Sequence, residues 1–364
     1  MKKANARIKD IAIKAGVSTG TVDRVIHNRG RVAPDVQKRV LEILKEMNYE
    51  PNLIARALGS KKDYHIAALI PDPAFDPYWR GPKEGIKKAE AGVKQYGVSI
   101  QQFVFNPYDV VSYIEQAKLV TKAQPDGILL SPIFYRDTIP FFKEWQDKNI
   151  PFVLFNTQIT ESGALSYVGQ DSYQSGLLAG KLVHYGQPQP CTLMILHIDE
   201  EISNAAHLAK KEQGFRDYFK QNGLDGQYKI ITVELNGSDQ PGFTDHLFSI
   251  IKSKPNLQSI YITTSKSYEI ALCLEQRNIT PIKLVGYDLL PKNIDYLNKG
   301  AISFLINQNP KGQGYWGIHQ LVNHLVFKKA VPVLKYLPLD VVTRENAAYY
   351  ISDELIYDDY KLIG

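Results

Sequence analysis

Apolar positions along the first sixty residues recur at helical spacing. Ile8, Ile11, Ala12 and Ala15 stand at i, i+3, i+4 and i+7, which predicts a helix with one apolar face. Gly16 ends it, and Ser18 is placed to cap a second helix in which Val22, Val25 and Ile26 share a side. Thr19, Gly20, Asp23, Arg24 and His27 remain on the free side. Pro34 at a first helical position and Asp35 beside the positive helix end open a third helix, with Val36, Val40, Leu41 and Leu44 as its buried face. Three short helices, the first two joined by a tight glycine-containing turn, predict a helix-turn-helix unit.

From His65 the period changes. Apolar runs at 65–71, 100–106, 127–132 and 152–156 form one series, and runs at 192–197, 229–235, 259–264, 283–288 and 303–307 a second. Amphipathic stretches at 80–96, 110–122, 173–185 and 205–222 lie between them. Strands alternating with helices predict parallel sheets covered on both faces, and two series predict two lobes. The expected fold class is a small all-α helix-turn-helix headpiece followed by a two-lobed α/β body.

Charge separates the same two parts. Over 364 residues the net charge is +5, but residues 1–62 hold 14 Lys/Arg against 6 Asp/Glu, leaving 29 against 32 for the rest. A basic head on a mildly acidic body points to a polyanion met by the head alone. Two cysteines, Cys191 and Cys273, provide neither a disulfide framework nor metal-ligand spacing, which fits a reducing cytoplasm. No run approaches the ~18 apolar residues that span a bilayer, so no membrane association is expected. The basic start Met1–Arg7 has no apolar stretch behind it, so no secretory signal is expected either.

Enzyme motifs are missing or misplaced. Gly16-Val17-Ser18-Thr19-Gly20 fits Gly-x-Ser-x-Gly, but a nucleophile elbow needs a buried strand before its serine, and here the preceding period is helical. There is no phosphate-binding Gly-x-x-x-x-Gly-Lys, no HExxH, and no Gly-x-Gly-x-x-Gly after the first strand. An acid/base pair of Asp76 and Asp288 working on glycosides is the remaining enzymatic reading. The expectation is a non-enzyme with no cofactor and no metal.

Residues 8–27, Ile-Lys-Asp-Ile-Ala-Ile-Lys-Ala-Gly-Val-Ser-Thr-Gly-Thr-Val-Asp-Arg-Val-Ile-His, resemble the DNA-binding headpiece of the LacI/GalR family of bacterial regulators, and the likeness continues through Tyr-Glu-Pro-Asn-Leu-Ile-Ala-Arg-Ala-Leu at 49–58. The resemblance implies that the second helix enters the major groove. Thr19, Gly20 and Arg24 would then read bases, Arg24 by a bidentate contact and Gly20 by close backbone approach. Ser18 and Thr21 would hold phosphates. It further implies a hinge at residues 52–60, with Asn52 and Ala55 on the DNA and Leu58 wedged into the minor groove. The alternative is that Leu53, Ile54, Ala55 and Leu58 pack a linker helix. Arg7, Asp23 and His27 depart from the Thr, Ser and Asn of many members, and His27 still stands among the DNA contacts that the resemblance implies.

The body resembles the sugar-binding periplasmic-protein fold, which implies a ligand in the cleft between lobes, at the carboxyl ends of strands. Matched positions make Asp76, Tyr78, Trp79, Asn156, Asp288 and Gln308 the candidate contacts, with Asp171 weaker. Strand-end aspartates also cap helices, and Tyr/Trp pairs also belong to cores. Where relatives carry a sugar-clamping arginine, this chain has Leu208-Ala-Lys-Lys211. Lys266 replaces an acceptor with a donor-only cation, hinting at an acidic sugar derivative.

The expected organisation is a headpiece at 1–50, a hinge and linker at 51–63, and a body at 64–364. Lobe 1 would span 64–158 and 309–338, and lobe 2 would span 159–308 and 339–364, with crossings near 157–161, 308–309 and 338–340. The resemblance implies a homodimeric repressor on a pseudo-palindromic double-stranded operator, controlled by a small-molecule sugar. The alternative is a sugar-binding component of a transport or sensing system without a DNA role. Residues 345–364, with Tyr349, Tyr350, Tyr357 and Tyr360, would pack on the body or on a partner.

Overall fold

The computed structural model describes residues 7–26, 29–47, 49, 62–187, 189–199, 206–237, 241–279 and 282–351. The chain divides into two units, residues 1–60 and 61–364.

The first unit holds α1 (Ile8–Ala15), α2 (Thr19–Ile26) and α3 (Pro34–Glu46). Gly16 takes the left-handed conformation (φ 65°), which turns the chain sharply between α1 and α2. Arg7 has no acceptor to cap α1, and Asp10 supplies the reciprocal half of the cap by accepting from the Arg7 N–H at 3.0 Å. Ile11, Ala12, Ala15, Val22, Val25, Val40 and Ile43 form the core. Leu41, expected inside, is 48% exposed, and Ile43 takes its place. The apolar arc of α3 is wider than the face that two short helices can cover.

The second unit contains two six-stranded sheets of matching order. The first comprises β1 (Tyr64–Pro71), β2 (Val98–Phe105), β3 (Gly127–Leu130), β4 (Phe152–Phe155), β5 (Ser166–Gly169) and β11 (Leu334–Tyr336), ordered β11-β5-β4-β3-β1-β2. The second comprises β6 (Thr192–Ile198), β7 (Lys229–Leu235), β8 (Leu257–Ile262), β9 (Lys283–Tyr287), β10 (Phe304–Asn307) and β12 (Asp340–Val342), ordered β12-β10-β9-β8-β6-β7. The first sheet is wholly parallel; in the second, β12 pairs antiparallel with β10. Alternation along β6 shows why both faces need cover: Met194, Leu196 and Ile198 enter one apolar cluster, Leu193 and Ile195 another.

The first crossing between lobes lies later than expected. β5 still pairs with β4 in the first sheet, so lobe 1 continues through Gly169 and the chain crosses at Gln170-Asp171. The second crossing is at Gln308-Asn309 and the third at 337–339, between β11 and β12.

The lobes also repeat their helix packing. In lobe 1, α4 (Arg80–Val93) lies against α12 (Pro310–Leu325), and in lobe 2, α7 (Ser172–His184) lies against α8 (Ala206–Gln221). A Cβ on Gly85 would fall 1.9 Å from the Lys311 carbonyl oxygen, and one on Gly176 would fall 2.0 Å from that of Lys211. Both crossings therefore bring backbone onto backbone, which only glycine allows. Among the described residues the remaining α-helices of the body are α5 (Val110–Ala123), α6 (Tyr135–Asp147), α9 (Phe243–Lys252), α10 (Ser267–Gln276), α11 (Pro291–Asn298) and α13 (Ala348–Ile351). Tyr350 packs on the core of lobe 2, Tyr349 is 70% exposed, and Tyr357 and Tyr360 lie outside the described residues.

Candidate functional site

Ser18 caps α2: its Oγ accepts from the Thr21 N–H at 3.1 Å and lies 3.0 Å from the Thr21 hydroxyl. A capping serine on a helix end cannot serve as an elbow nucleophile, and among the described residues no strand precedes it. The cap leaves Thr19 and Gly20 exposed on the first turn. A Cβ on Gly20 would meet only the Ser18 Oγ, at 3.8 Å, so the chain's own packing does not demand glycine there. Arg24 is exposed one turn later, its Nε donating to the Gly20 carbonyl at 3.2 Å, which directs the guanidinium back along the same helix face. Val22 and Val25 anchor the opposite face in the core. Thr19, Gly20 and Arg24 thus share one exposed surface of a fixed helix. His27, Asn52, Ala55 and Leu58 lie outside the described residues.

In the body, the ends of strands from both sheets bring polar groups together. Asn156 follows β4 and Asp288 follows β9, the equivalent strand of the other lobe, and both take φ 65°. Gln170 follows β5 and Gln308 follows β10, again an equivalent pair. Of these four residues, two from each repeat, side-chain hydrogen bonds join Gln170, Gln308 and Asp288. The Gln170 side-chain amide donates to the Gln308 side-chain oxygen, and Gln308 Nε2 donates to Asp288 Oδ2 at 2.5 Å. Gln313 Nε2, from α12, donates to the Gln308 main-chain oxygen at 3.0 Å. Asn156 Nδ2 donates to the Tyr78 hydroxyl at 2.7 Å.

Tyr78 and Trp79 follow β1 on a single 3₁₀ turn capped by Asp76, whose carboxylate accepts from the Tyr78 N–H at 3.0 Å. Both rings are nearly buried, packed edge-on to each other at 4.9 Å, with Trp79 against Phe155 at 6.2 Å. Asp171 caps α7, accepting from the N–H groups of Tyr173 and Gln174.

Asp288 is 1% exposed and its Oδ1 has no hydrogen-bond partner in the protein. Burial pushes its carboxyl up to about 7, against the opposing pull of Lys211 and the Gln308 hydrogen bonds, while Asp76 across the cleft adds to the rise. The side-chain oxygens of Gln170 and Gln313 are likewise buried without a partner. Three acceptors grouped around Gln308 make the cleft floor a receiver of hydrogen bonds.

Of two nearby lysines, Lys211 opposes this character at Asp288 and Lys266 is engaged elsewhere. Lys211 is 2% exposed; its Nζ donates to the Thr263 carbonyl at 2.8 Å and sits 3.7 Å from the Tyr287 ring centre. Thr263 in turn holds His197, Oγ1 to Nδ1 at 2.7 Å, and His197 Nε2 faces Glu212 at 3.1 Å. Lys266, read from the sequence as the mark of an acidic ligand, forms an ion pair with Asp199 and lies over the Tyr108 ring of the opposite lobe at 5.3 Å. Its charge is already matched within the protein, which removes that argument for an anion.

Gln170, Gln313 and Asp199 were not singled out from sequence. Gln170 follows β5 just as Gln308 follows the equivalent strand of the other lobe, but that equivalence comes from the sheet order and not from the sequence.

The profile described as "Bacterial regulatory proteins, lacI family" matches residues 7–52, and that described as "Periplasmic binding protein domain" matches residues 66–329. The chain belongs to the LacI family. A solved structure named as a LacI transcriptional regulator from Bacteroides fragilis is 30% identical, covering 79% of this chain and all of its own, with a TM-score of 0.73. The ribose operon repressor of Bacillus subtilis is 27% identical over 79% of this chain and 83% of its own length. A glucose-galactose binding protein from Geobacillus stearothermophilus, 26% identical, superposes with a TM-score of 0.68 over 79% of this chain and 99% of its own. This LacI-family protein is therefore a DNA-binding transcriptional regulator with a helix-turn-helix headpiece and a periplasmic-binding-protein-like body. Among the described residues no helix is long and apolar enough to cross a membrane, and no cluster suited to a metal ion occurs.

Proposed function

We propose that the protein is a cytoplasmic homodimeric repressor whose grip on a pseudo-palindromic operator is set by a neutral sugar in the body's cleft. Thr19, Gly20 and Arg24 read bases, Ser18 and Thr21 hold phosphates, and Asn52, Ala55 and Leu58 of the hinge engage the minor groove. Two headpieces are needed because one helix reads only a half-site.

The ligand class follows from one observation: Asp288 Oδ1, Gln170 Oε1 and Gln313 Oε1 are buried acceptors without partners. A ligand that satisfies them must donate several hydrogen bonds from neutral groups, which hydroxyls do and carboxylates do not. Asp76, Asn156 and Gln308 supply the remaining polar contacts and Tyr78 and Trp79 the apolar wall. Asp171 is taken up in capping α7. Binding draws on residues of both lobes, so it changes how the lobes are held together and, through the linker, the state of the hinges.

The test uses the full-length protein. Duplexes selected from a random pool define the operator, and a panel of neutral sugars and sugar acids is then screened for binding by calorimetry and for altered operator affinity. A neutral sugar that binds and shifts operator affinity several-fold is the expected result. Preference for sugar acids, or binding without any duplex recognition, defeats the reading.

A further inference from the structure

Between Asp295 and Asp340 the chain runs 44 residues without an aspartate or glutamate while carrying five lysines, although acids total 38 in 364 residues. This stretch forms β10, α12 and β11, and beyond the end of α12 it places the exposed Lys328 and Lys329. Lys328 Nζ lies 5.9 Å from the Tyr64 ring centre, over which Lys62 Nζ also sits, at 4.6 Å. Lys329 Nζ lies 5.9 Å from the Phe327 ring, which packs edge-on against Tyr96 at 5.2 Å. Asp126 meets Lys62 at 3.6 Å, and Asp63 adjoins it in the chain.

Three lysines are thus gathered on aromatic rings at the amino end of β1, the end of lobe 1 opposite the cleft and the point where the linker joins the body. The last turn of a helix accommodates one cation against its dipole. It does not account for a lysine pair beyond the helix beside a third from another element. Lys62 stands thirteen residues after Tyr49, a tether of at most ~45 Å when fully extended. A headpiece seated on a duplex therefore holds this face at high effective concentration near phosphates.

We propose that Lys62, Lys328 and Lys329 form a second, sequence-independent phosphate-binding surface, carried by the body and engaged alongside the headpiece. This rests on the family's DNA-binding role and goes beyond it by giving the body a direct share of the DNA affinity. Lysines neutralising phosphates release counterions, so each contact adds about 0.9 to the slope of log K against log salt concentration.

The experiment measures that slope for the full-length protein on operator and on unrelated duplex, comparing wild type with Lys328→Gln/Lys329→Gln and Lys328→Glu/Lys329→Glu. Effector affinity and thermal melting serve as folding controls. The expected slope falls by about 1.8 in the glutamine variant on both duplexes, so that between 50 and 200 mM salt wild type loses about tenfold more affinity than the variant. The glutamate variant binds more weakly still. An unchanged slope with intact controls overturns the proposal, including where these variants instead lose affinity for an acidic protein partner. Wild type that binds no duplex at any salt concentration sinks the DNA role as well, and so separates the two failures.

Discussion

The side chains of Gln170 and Gln308 meet across the crossings between the lobes: Gln170 donates to Gln308, which donates onward to Asp288. Each glutamine directly follows the strand that completes one repeat of the body, and each begins a passage of the chain from one lobe to the other. Chain passage and cleft floor are consequently one hydrogen-bonded unit. Any ligand that pulls on Asp288 pulls on the link between lobes.

Replacing Gln170 with Ala should leave the Gln308 side-chain oxygen unpaired in a buried site. The cost of about 1–3 kcal/mol should appear as effector affinity reduced about 5- to 150-fold, with the Arg24 surface and operator affinity without effector unchanged. Calorimetry with effector and a gel-shift without it measure the two parts.

Asp288, held up to about 7, binds a proton in the folded state over a pH range where an unfolded aspartate has lost it. Its contribution to stability is therefore greatest below ~4 and declines as pH rises toward 7. The effector-free body should melt at a lower temperature at pH 7.5 than at pH 5.5, and Asp288→Asn should flatten that dependence. Effector affinity should move in the opposite sense, since hydroxyl donors favour the ionised carboxylate.

Glu212 shows the reverse case. Burial alone raises its carboxyl, but hydrogen bonds from His197, Thr232 and Arg216 outweigh it and hold it at about 2. The stability it provides is present above the ordinary carboxylate range and fades as pH falls toward 2. Glu212→Gln should lower the melting temperature at pH 7, by about 1–3 kcal/mol in stability, with the gap to wild type narrowing below pH 4.

Arg24→Lys keeps the charge and loses the planar fork. Operator affinity should fall by about 1–3 kcal/mol while affinity for unrelated duplex and the salt slope stay close to wild type. Selection of bound sequences should then show relaxed preference at one position of each half-site. Equal losses on operator and unrelated DNA would assign Arg24 to phosphate instead.

The headpiece was legible because its helices are local: Ile8 through Ala15 announce a face without help from distant residues. Leu41 misled because spacing alone does not say how wide a partner surface will be. The body's long strands were equally plain, whereas β5 and β11 were passed over. Ser166-Tyr-Val-Gly169 and Leu334-Lys-Tyr336 are too short and too mixed to carry a pattern, and tertiary pairing creates them. That omission displaced the first crossing. Lys266 misled for a related reason, since its partner Asp199 lies 67 residues away and sequence spacing cannot foresee the pair. Gln170 became visible only once the repeat was aligned in space.

Gly85 and Gly176 bring pairs of helices so near each other that neither lobe has slack along its inner seam. Each half must travel as a solid block, with all pivoting confined to three narrow straps of chain. A displacement of a fraction of an ångström at the sugar would then be magnified at the far rim, as by a lever. Enlarging either glycine should blunt the response to effector by loosening the arm rather than by touching the ligand.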